Sequence, residues 1–185
     1  MKMLFKIILL LVLSSVMAQA QFTFSRWNLD GTMGNTEIRI TGYKGFTSEV
    51  NIPSTYFGLP VTSINSMAFS DWGITSVTIP DSVIGLWEAA FQRCACLTNV
   101  VIGSNVVFIT NAFIYCPELT VVFFQGNAPS VDPNGFVGSE KVVVYYLQGT
   151  TGWKRTFGGR PTIMLPRKLP PMETNIWRAS NNNAT

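Results

Sequence analysis

Apolar and polar positions along this chain keep two periods at once, a short one of two and a long one of 22. The long period shows in the pair Ala-Phe, which recurs at a constant 22-residue interval as Ala68-Phe69, Ala90-Phe91 and Ala112-Phe113. Five residues before each Phe stands another apolar side chain, Ile64, Leu86 and Phe108. After each Phe come a short polar turn and a run with apolar groups at Ile74, Val77 and Ile79, then Leu97, Val100 and Ile102, then Leu119, Val122 and Phe124. Alternation and β-branched side chains make these runs strands, predicted over 74–79, 97–102 and 119–124, because a helix face needs a spacing of three or four. Pro80 and Gly103 close two of them, where the chain must leave the sheet.

A 22-residue unit is too short to bury its own apolar side. Stacked in register, successive units pair strands ~4.8 Å apart and set like residues over like. The expected fold is therefore a β-rich solenoid of short parallel strands, with a continuous core and one layer per repeat. The period slips in places. Phe69 to Ile74 is five residues where Phe91 to Leu97 is six, and Val106 to Phe113 is one shorter than Val83 to Phe91. Length changes in a solenoid belong in its turns, and these are assigned there.

The motifs Val61-Thr-Ser-Ile64-Asn-Ser-Met-Ala68-Phe69 and Ile74-Thr-Ser-Val77-Thr-Ile79-Pro80 resemble the BspA-like class of leucine-rich repeats. So do the opening segment Ile38-Arg-Ile40-Thr-Gly-Tyr43 with Val50-Asn-Ile52-Pro53, and the closing one from Phe124-Gln-Gly-Asn-Ala-Pro129 to Phe157-Gly-Gly-Arg-Pro161. The resemblance covers about residues 36–163; Leu86-Trp87 and Val107-Phe108 depart from it, with larger side chains than usual. It implies a leucine-rich-repeat horseshoe with little helix, and binding or adhesion at a cell surface more than catalysis. The expected organisation is 21–60 as N-terminal cap and first rung, 61–126 as three repeats, 127–163 as C-terminal capping strand and turn, and 164–185 as an extended or disordered tail. Within the C-terminal cap, 142–147 should add a strand, and Trp153 and Phe157 should share one face of a short helical turn over the last layer.

Residues 1–20 read as an address. Lys2 and Lys6 precede or flank the start of an unbroken apolar run from Ile7 to Leu13, and Ala18-Gln19-Ala20 offers small residues for cleavage before Gln21. That is the form of a secretory signal peptide, and the run is shorter than the ~20 residues a membrane span needs. Export to the cell envelope or beyond is expected, with no membrane span after cleavage.

Composition narrows the chemistry. Of 185 residues, 47% are hydrophobic, only 12% are charged and none is His. The commonest general base and commonest metal ligand are thus both missing. Formal charge is +3, or +1 once Lys2 and Lys6 are removed. Residues 21–140 carry four basic groups against nine acids, −5, and residues 141–185 carry seven against one, +6. The basic end reads as a solvated tail, with contact to an anionic envelope or surface as the alternative, and the overall composition argues against a nucleic-acid binder.

Cys94, Cys96 and Cys116 make an odd set. Cys94 and Cys116 each follow a repeated Phe by three residues and stack on adjacent rungs. Buried free thiols are the expectation, with a Cys94–Cys116 disulfide as the alternative. Cys94-Ala-Cys96 lacks metal-site spacing, so no metal or cofactor is expected. The carboxylates are scattered, and Asp71 and Glu118 read as turn residues, not as the facing pair that glycosidase chemistry needs.

Strand alternation points Ser76 and Thr78 outward on the first repeat, Asn99 and Val101 on the second, and Val121 and Phe123 on the third, with Tyr145 or Tyr146 beyond. This face turns from polar to apolar along the stack. Those six residues are the candidate ligand-binding surface, for a protein or glycan ligand, unless the C-terminal segment covers Val121 and Phe123. The sequence therefore points to a secreted or surface-bound, non-catalytic binding or adhesion module. A polysaccharide hydrolase or lyase on a β-solenoid, or a fragment of a larger surface protein, is the alternative.

Overall fold

A computed structural model describes residues 21–28, 34 and 36–167. Residues 1–20, expected to be a signal peptide, and 168–185, expected to belong to the tail, lie outside the described residues.

Fourteen short strands and no helix form the described residues. The N-terminal part holds β1 (Phe22–Trp27), β2 (Glu37–Tyr43), β3 (Glu49–Asn51), β4 (Thr55–Tyr56) and β5 (Leu59–Ile64). The middle holds β6 (Ser76–Ile79), β7 (Gly85–Leu86), β8 (Asn99–Ile102), β9 (Phe108–Ile109) and β10 (Val121–Phe124). Then follow β11 (Ser130–Val131), β12 (Val143–Leu147), β13 (Thr156–Phe157) and β14 (Arg160–Leu165). The chain alternates between two sheets. The first runs β1-β2-β5-β7-β9-β11, with β4 folded onto β5, and the second runs β3-β6-β8-β10-β12-β14, with β13 folded onto β14. Pairing is antiparallel only for β1–β2, β4–β5 and β13–β14. The second sheet thus stacks six parallel strands, and the solenoid has about six turns. The three repeats legible from Ala-Phe are its middle.

The strands of the second sheet begin two residues later than the apolar alternation predicts. Ile74, Leu97 and Leu119 are buried, yet they sit at the corner that leads into each strand. Each corner is held by a threonine. The N–H groups of Thr75, Thr98 and Thr120 donate to the Ser48, Thr75 and Thr98 carbonyls at 2.7, 2.9 and 3.0 Å. Their hydroxyls donate to the same three carbonyls at 3.2, 3.0 and 3.2 Å.

Phe108 does not take the core position its spacing predicts. Leu86 pairs with Ile109, and Phe108 lies opposite Gly85 on the outer side. The core column is Ile64, Leu86, Ile109, and all three are buried while Phe108 is half-buried. The missing residue falls between Ile109 and Phe113, so the slip is in a turn, and strand pairing kept its register there because a shift of one would turn the whole strand inside out.

Inside, aromatic rings form a single file. Phe69 stacks on Phe91 at 4.8 Å between centroids, Phe91 on Phe113 at 5.3 Å, and Phe113 on Phe136 at 6.0 Å, with interplanar angles of 17°, 10° and 6°. Tyr43 closes one end, 5.3 Å from Phe69, and Phe157 the other, 6.4 Å from Phe136. Phe69, Phe91, Phe113 and Phe136 are completely buried. Each ring removes its neighbour's faces from water and adds aromatic contact energy of roughly 0.5–1.5 kcal/mol beyond area burial.

Beside the rings runs a column of small hydrogen-bond donors. The thiols of Cys94 and Cys116 donate to the carbonyls of Phe69 and Phe91, each at 3.0 Å. In the next layer the Ser139 hydroxyl donates to the Phe113 carbonyl at 2.7 Å and accepts from the Cys116 N–H at 2.8 Å. Cys94 and Cys116 are therefore buried free thiols that tie one coil to the one before, and Cys96 is exposed. The hydrogen bond to Cys116 and burial push the Cys94 thiol far above its ordinary pKa. A thiol reagent should accordingly modify one cysteine quickly in the native protein and the other two only after denaturation; three equally fast thiols would disprove this packing.

The turns repeat as closely as the core. Met67, Ala89 and Asn111 have φ values of 58°, 58° and 46°, and Asp71, Arg93 and Tyr115 have 64°, 55° and 58°. Such left-handed positions cost L-residues roughly 1–2 kcal/mol each in the absence of a compensating contact. Here the corner hydrogen bonds supply it, since the Met67, Asp71, Arg93 and Tyr115 N–H groups each donate to a carbonyl of the following coil. At the opposite corner Gly126 is required by close approach: a Cβ there would lie 2.0 Å from the Ser104 carbonyl oxygen.

Both ends are covered, though not entirely as expected. At the N-terminus the β1–β2 hairpin lays Phe22 against Tyr43 and Phe69, at 5.5 and 6.3 Å. At the C-terminus the predicted helical turn is absent. Residues 156–165 form a β13–β14 hairpin, and Trp153 packs flat on Tyr146 (4.8 Å, 9°) and against Phe124 and Phe157 (5.0 and 5.2 Å). Two glycines, Gly158 and Gly159 at φ 55° and 82°, favour the tight hairpin over a helical turn. β14 carries ordered chain to Leu165, past the expected start of the tail.

Candidate functional site

The outer face of the second sheet gathers all six residues that alternation predicted. Its strands pair in step, so two columns run across the sheet. In one, Glu49, Ser76, Asn99, Val121 and Val143 are neighbours in turn. In the other, Asn51, Thr78, Val101, Phe123, Tyr145 and Ile163 follow one another. Rungs are about 4.8 Å apart, and the columns about 6.7 Å apart, being two residues along a strand. The intervening residues Val77, Val100, Val122 and Val144 point inward and are buried.

The polar-to-apolar gradient is longer than the six residues. Glu49, Asn51 and Thr78 are exposed at one end. Half-buried Phe123 and Tyr145 and exposed Ile163 lie at the other. Of the two tyrosines it is Tyr145 that belongs to this face, because Tyr146 turns inward onto Trp153. Glu49, Asn51, Val143 and Ile163 were not singled out from the sequence; their strands lack the Ala-Phe marker that sets the register. Residues 160–165 do not cover Val121 and Phe123, since β14 extends the sheet beyond β12 instead of crossing β10. Within the face the Asn99 amide donates to the Thr98 hydroxyl at 3.0 Å, while its Oδ1 is enclosed without a partner among the described residues.

At the corners, ion pairs link successive coils. Arg93 grips Asp71 through Nε and Nη2 at 2.6 and 2.7 Å, Lys141 meets Glu118 at 2.7 Å, and Arg160 pairs with Glu140. The hydrogen bonds from Arg93 and Ser70 hold the Asp71 carboxyl below the usual carboxylate range, and Arg160 does the same for Glu140. Part of the C-terminal basic excess thus has a structural use. Asp71 and Glu118, the two turn carboxylates, each face a cation of the next coil and not one another. Among the described residues no three His, Cys, Asp or Glu side chains gather as a metal site. What the sheet face offers is a rigid platform with hydroxyl and amide groups toward one end and aromatic and aliphatic groups at the other.

Known proteins share this architecture. A family model of the BspA type leucine rich repeat region matches residues 21–150 in six copies. A leucine-rich repeat protein from Bacteroides capillosus is similar at 30% identity and a TM-score of 0.58, over 68% of this chain and 94% of that one. A leucine rich cell surface protein from Faecalibacterium prausnitzii is 27% identical with a TM-score of 0.54, over 71% of this chain and 36% of that one. The T. pallidum leucine rich repeat protein, at 21% identity and a TM-score of 0.57 over 80% of this chain and 81% of that one, shares the fold. No curated protein matches the sequence significantly. Six stacked coils, the Ala-Phe column and the match over residues 21–150 lead to one conclusion: the chain belongs to the BspA-type leucine-rich-repeat family.

Proposed function

We propose that this protein is an exported, surface-associated binding or adhesion module that holds its ligand on the outer face of the second sheet, with no covalent step. The observation that carries the reading is the pair of straight columns ending in Val121, Phe123, Tyr145 and Ile163, a row of apolar groups in line on an otherwise small-residue sheet face. Rows of that kind on a rigid scaffold suit a partner of regular shape, a protein surface or a glycan, because the side chains need no reordering to bind. Export is supported by the charged start, apolar run and Ala18-Gln19-Ala20 of the N-terminal segment. A surface location also fits the printed description of the similar Faecalibacterium protein.

The ion-paired corner carboxylates and the lack of His in the sequence favour this non-catalytic reading over a hydrolase or lyase. The test is binding of the folded protein to arrayed matrix proteins and glycans, beside a Phe123→Ser variant. Binding should fall at least tenfold in that variant, since central aromatic anchors carry about 2 kcal/mol or more of an interface. Unchanged binding by a folded Phe123→Ser protein would remove the second sheet from the mechanism.

A further inference from the structure

The first sheet has an outer face as well, and one part of it is built differently. Arg39, Ser63, Gly85 and Phe108 are neighbours across β2, β5, β7 and β9. They span about 14 Å of sheet, three rungs of about 4.8 Å. Gly85 has no side chain, and the Phe108 ring fills the space above it; a Cβ at Gly85 would lie 2.0 Å from the Phe108 Cζ. Phe108 meets Trp87 edge to face at 5.2 Å and 78°, and the two rings form one wall of a groove. Trp87, the residue after β7, is 42% exposed, so its ring is open to a ligand in the groove.

The opposite wall is a clamped ion pair. Arg39 donates from Nε and Nη2 to Glu37 Oε1 at 2.9 and 2.8 Å, and its guanidinium lies 4.2 Å from the centre of the Trp27 ring. Glu37 is buried, so both side chains are held in fixed positions. Between the walls the floor contains Ser63, only 6% exposed, whose hydroxyl oxygen is enclosed and has no hydrogen-bond partner among the described residues. Buried hydroxyls are ordinarily satisfied, and leaving one unpaired costs roughly 1–3 kcal/mol.

These features select a ligand class. Arg39 and Glu37 neutralise one another, so an anion or a cation gains little net attraction here. A neutral molecule that both donates and accepts hydrogen bonds can use the carboxylate, the guanidinium and the Ser63 hydroxyl together. It also needs an apolar face to lie against indole and phenyl rings. A pyranose has both properties, hydroxyls around its rim and C–H groups on its faces. We propose that this groove binds one sugar unit of a neutral glycan, seated over Ser63 between the Trp87–Phe108 wall and the Glu37–Arg39 pair. The site is separate from the second-sheet surface, and it stands or falls independently of the function proposed for that surface.

The test is an NMR titration of the folded protein with neutral linear tetrasaccharides of glucose, mannose and galactose, and with galacturonate and inorganic phosphate as anionic probes. At least one neutral tetrasaccharide should move the Trp87 indole and Ser63 amide signals. Trp87→Ala should weaken that binding tenfold or more, Ser63→Ala should weaken it severalfold without lowering the melting temperature, and Phe123→Ser should leave it intact. Should Trp87→Ala fail to fold, Ser63→Ala decides. The proposal is overturned if no neutral tetrasaccharide shifts these signals, if only the anions do, if folded Ser63→Ala binds as the wild type, or if Phe123→Ser abolishes binding.

Discussion

Phe113→Ala should destabilise the protein by about 3–5 kcal/mol, the usual cost of deleting a fully buried aromatic ring. The ring is wholly enclosed, with Phe91 at 5.3 Å on one face and Phe136 at 6.0 Å on the other. The coils on either side are pinned by backbone and Ser139 hydrogen bonds, so they cannot close over the cavity. A loss of that size is a large part of the roughly 5–15 kcal/mol that typically holds a domain folded. It should also weaken the coupling between the coils on its two sides, because coils stabilise one another only through nearest neighbours. Chemical denaturation reads it directly: a lower midpoint with a broader or biphasic transition is expected, and a shift below about 1 kcal/mol would show that the ring is not a core member.

Trp153→Ala should cost about 2–4 kcal/mol, less than a fully buried ring because Trp153 is half-buried. Its effect should be local. The indole lies on Tyr146, touches Phe124 and Phe157, and donates to the Thr150 hydroxyl at 2.9 Å. It thus seals the last coil, and without it the edge formed by β12 and β14 should open ahead of the rest. Hydrogen exchange distinguishes the two variants. In Trp153→Ala the amides of Val144 and Tyr146 should lose protection while that of Val77 keeps it; equal loss throughout would contradict a capping role.

The middle of the solenoid was legible because three coils repeat Ala-Phe at an unchanging 22-residue interval. Inward Val77, Val100 and Val122, outward Ser76 to Phe123, and the stacked Cys94 and Cys116 all follow from that register. The outer coils were harder to read. Phe136 stands in the ring file, yet it follows Gly135 in place of alanine and lies one position further along than the period places it. Tyr43 occupies the same file, four positions earlier than the period places it, and its hydroxyl reaches Thr47 Oγ1 at 2.8 Å at the edge of the core. Tolerance grows toward the ends because a terminal coil has only one neighbour to match.

Phe108 misled for a different reason. Counting back five from Phe113 lands on it, but the deleted residue lies between, so Ile109 takes the core and Phe108 the groove. The departure of Leu86-Trp87 and Val107-Phe108 from the family's small residues was visible in the sequence. Its meaning was not, because Gly85, Ser63 and the Glu37–Arg39 pair come together only across three rungs. The C-terminal cap failed similarly: the four-residue spacing of Trp153 and Phe157 fits a helical turn, and the glycine pair after Phe157 turned the chain into a hairpin instead.

Ring-to-ring nuclear Overhauser contacts in a protein with labelled phenylalanine test the whole account most directly. Phe69 should contact Phe91, Phe91 should contact Phe113, and Phe113 should contact Phe136, with none between Phe69 and Phe136. Rings that contact only solvent, or a different order of neighbours, would mean that the coils do not stack as described.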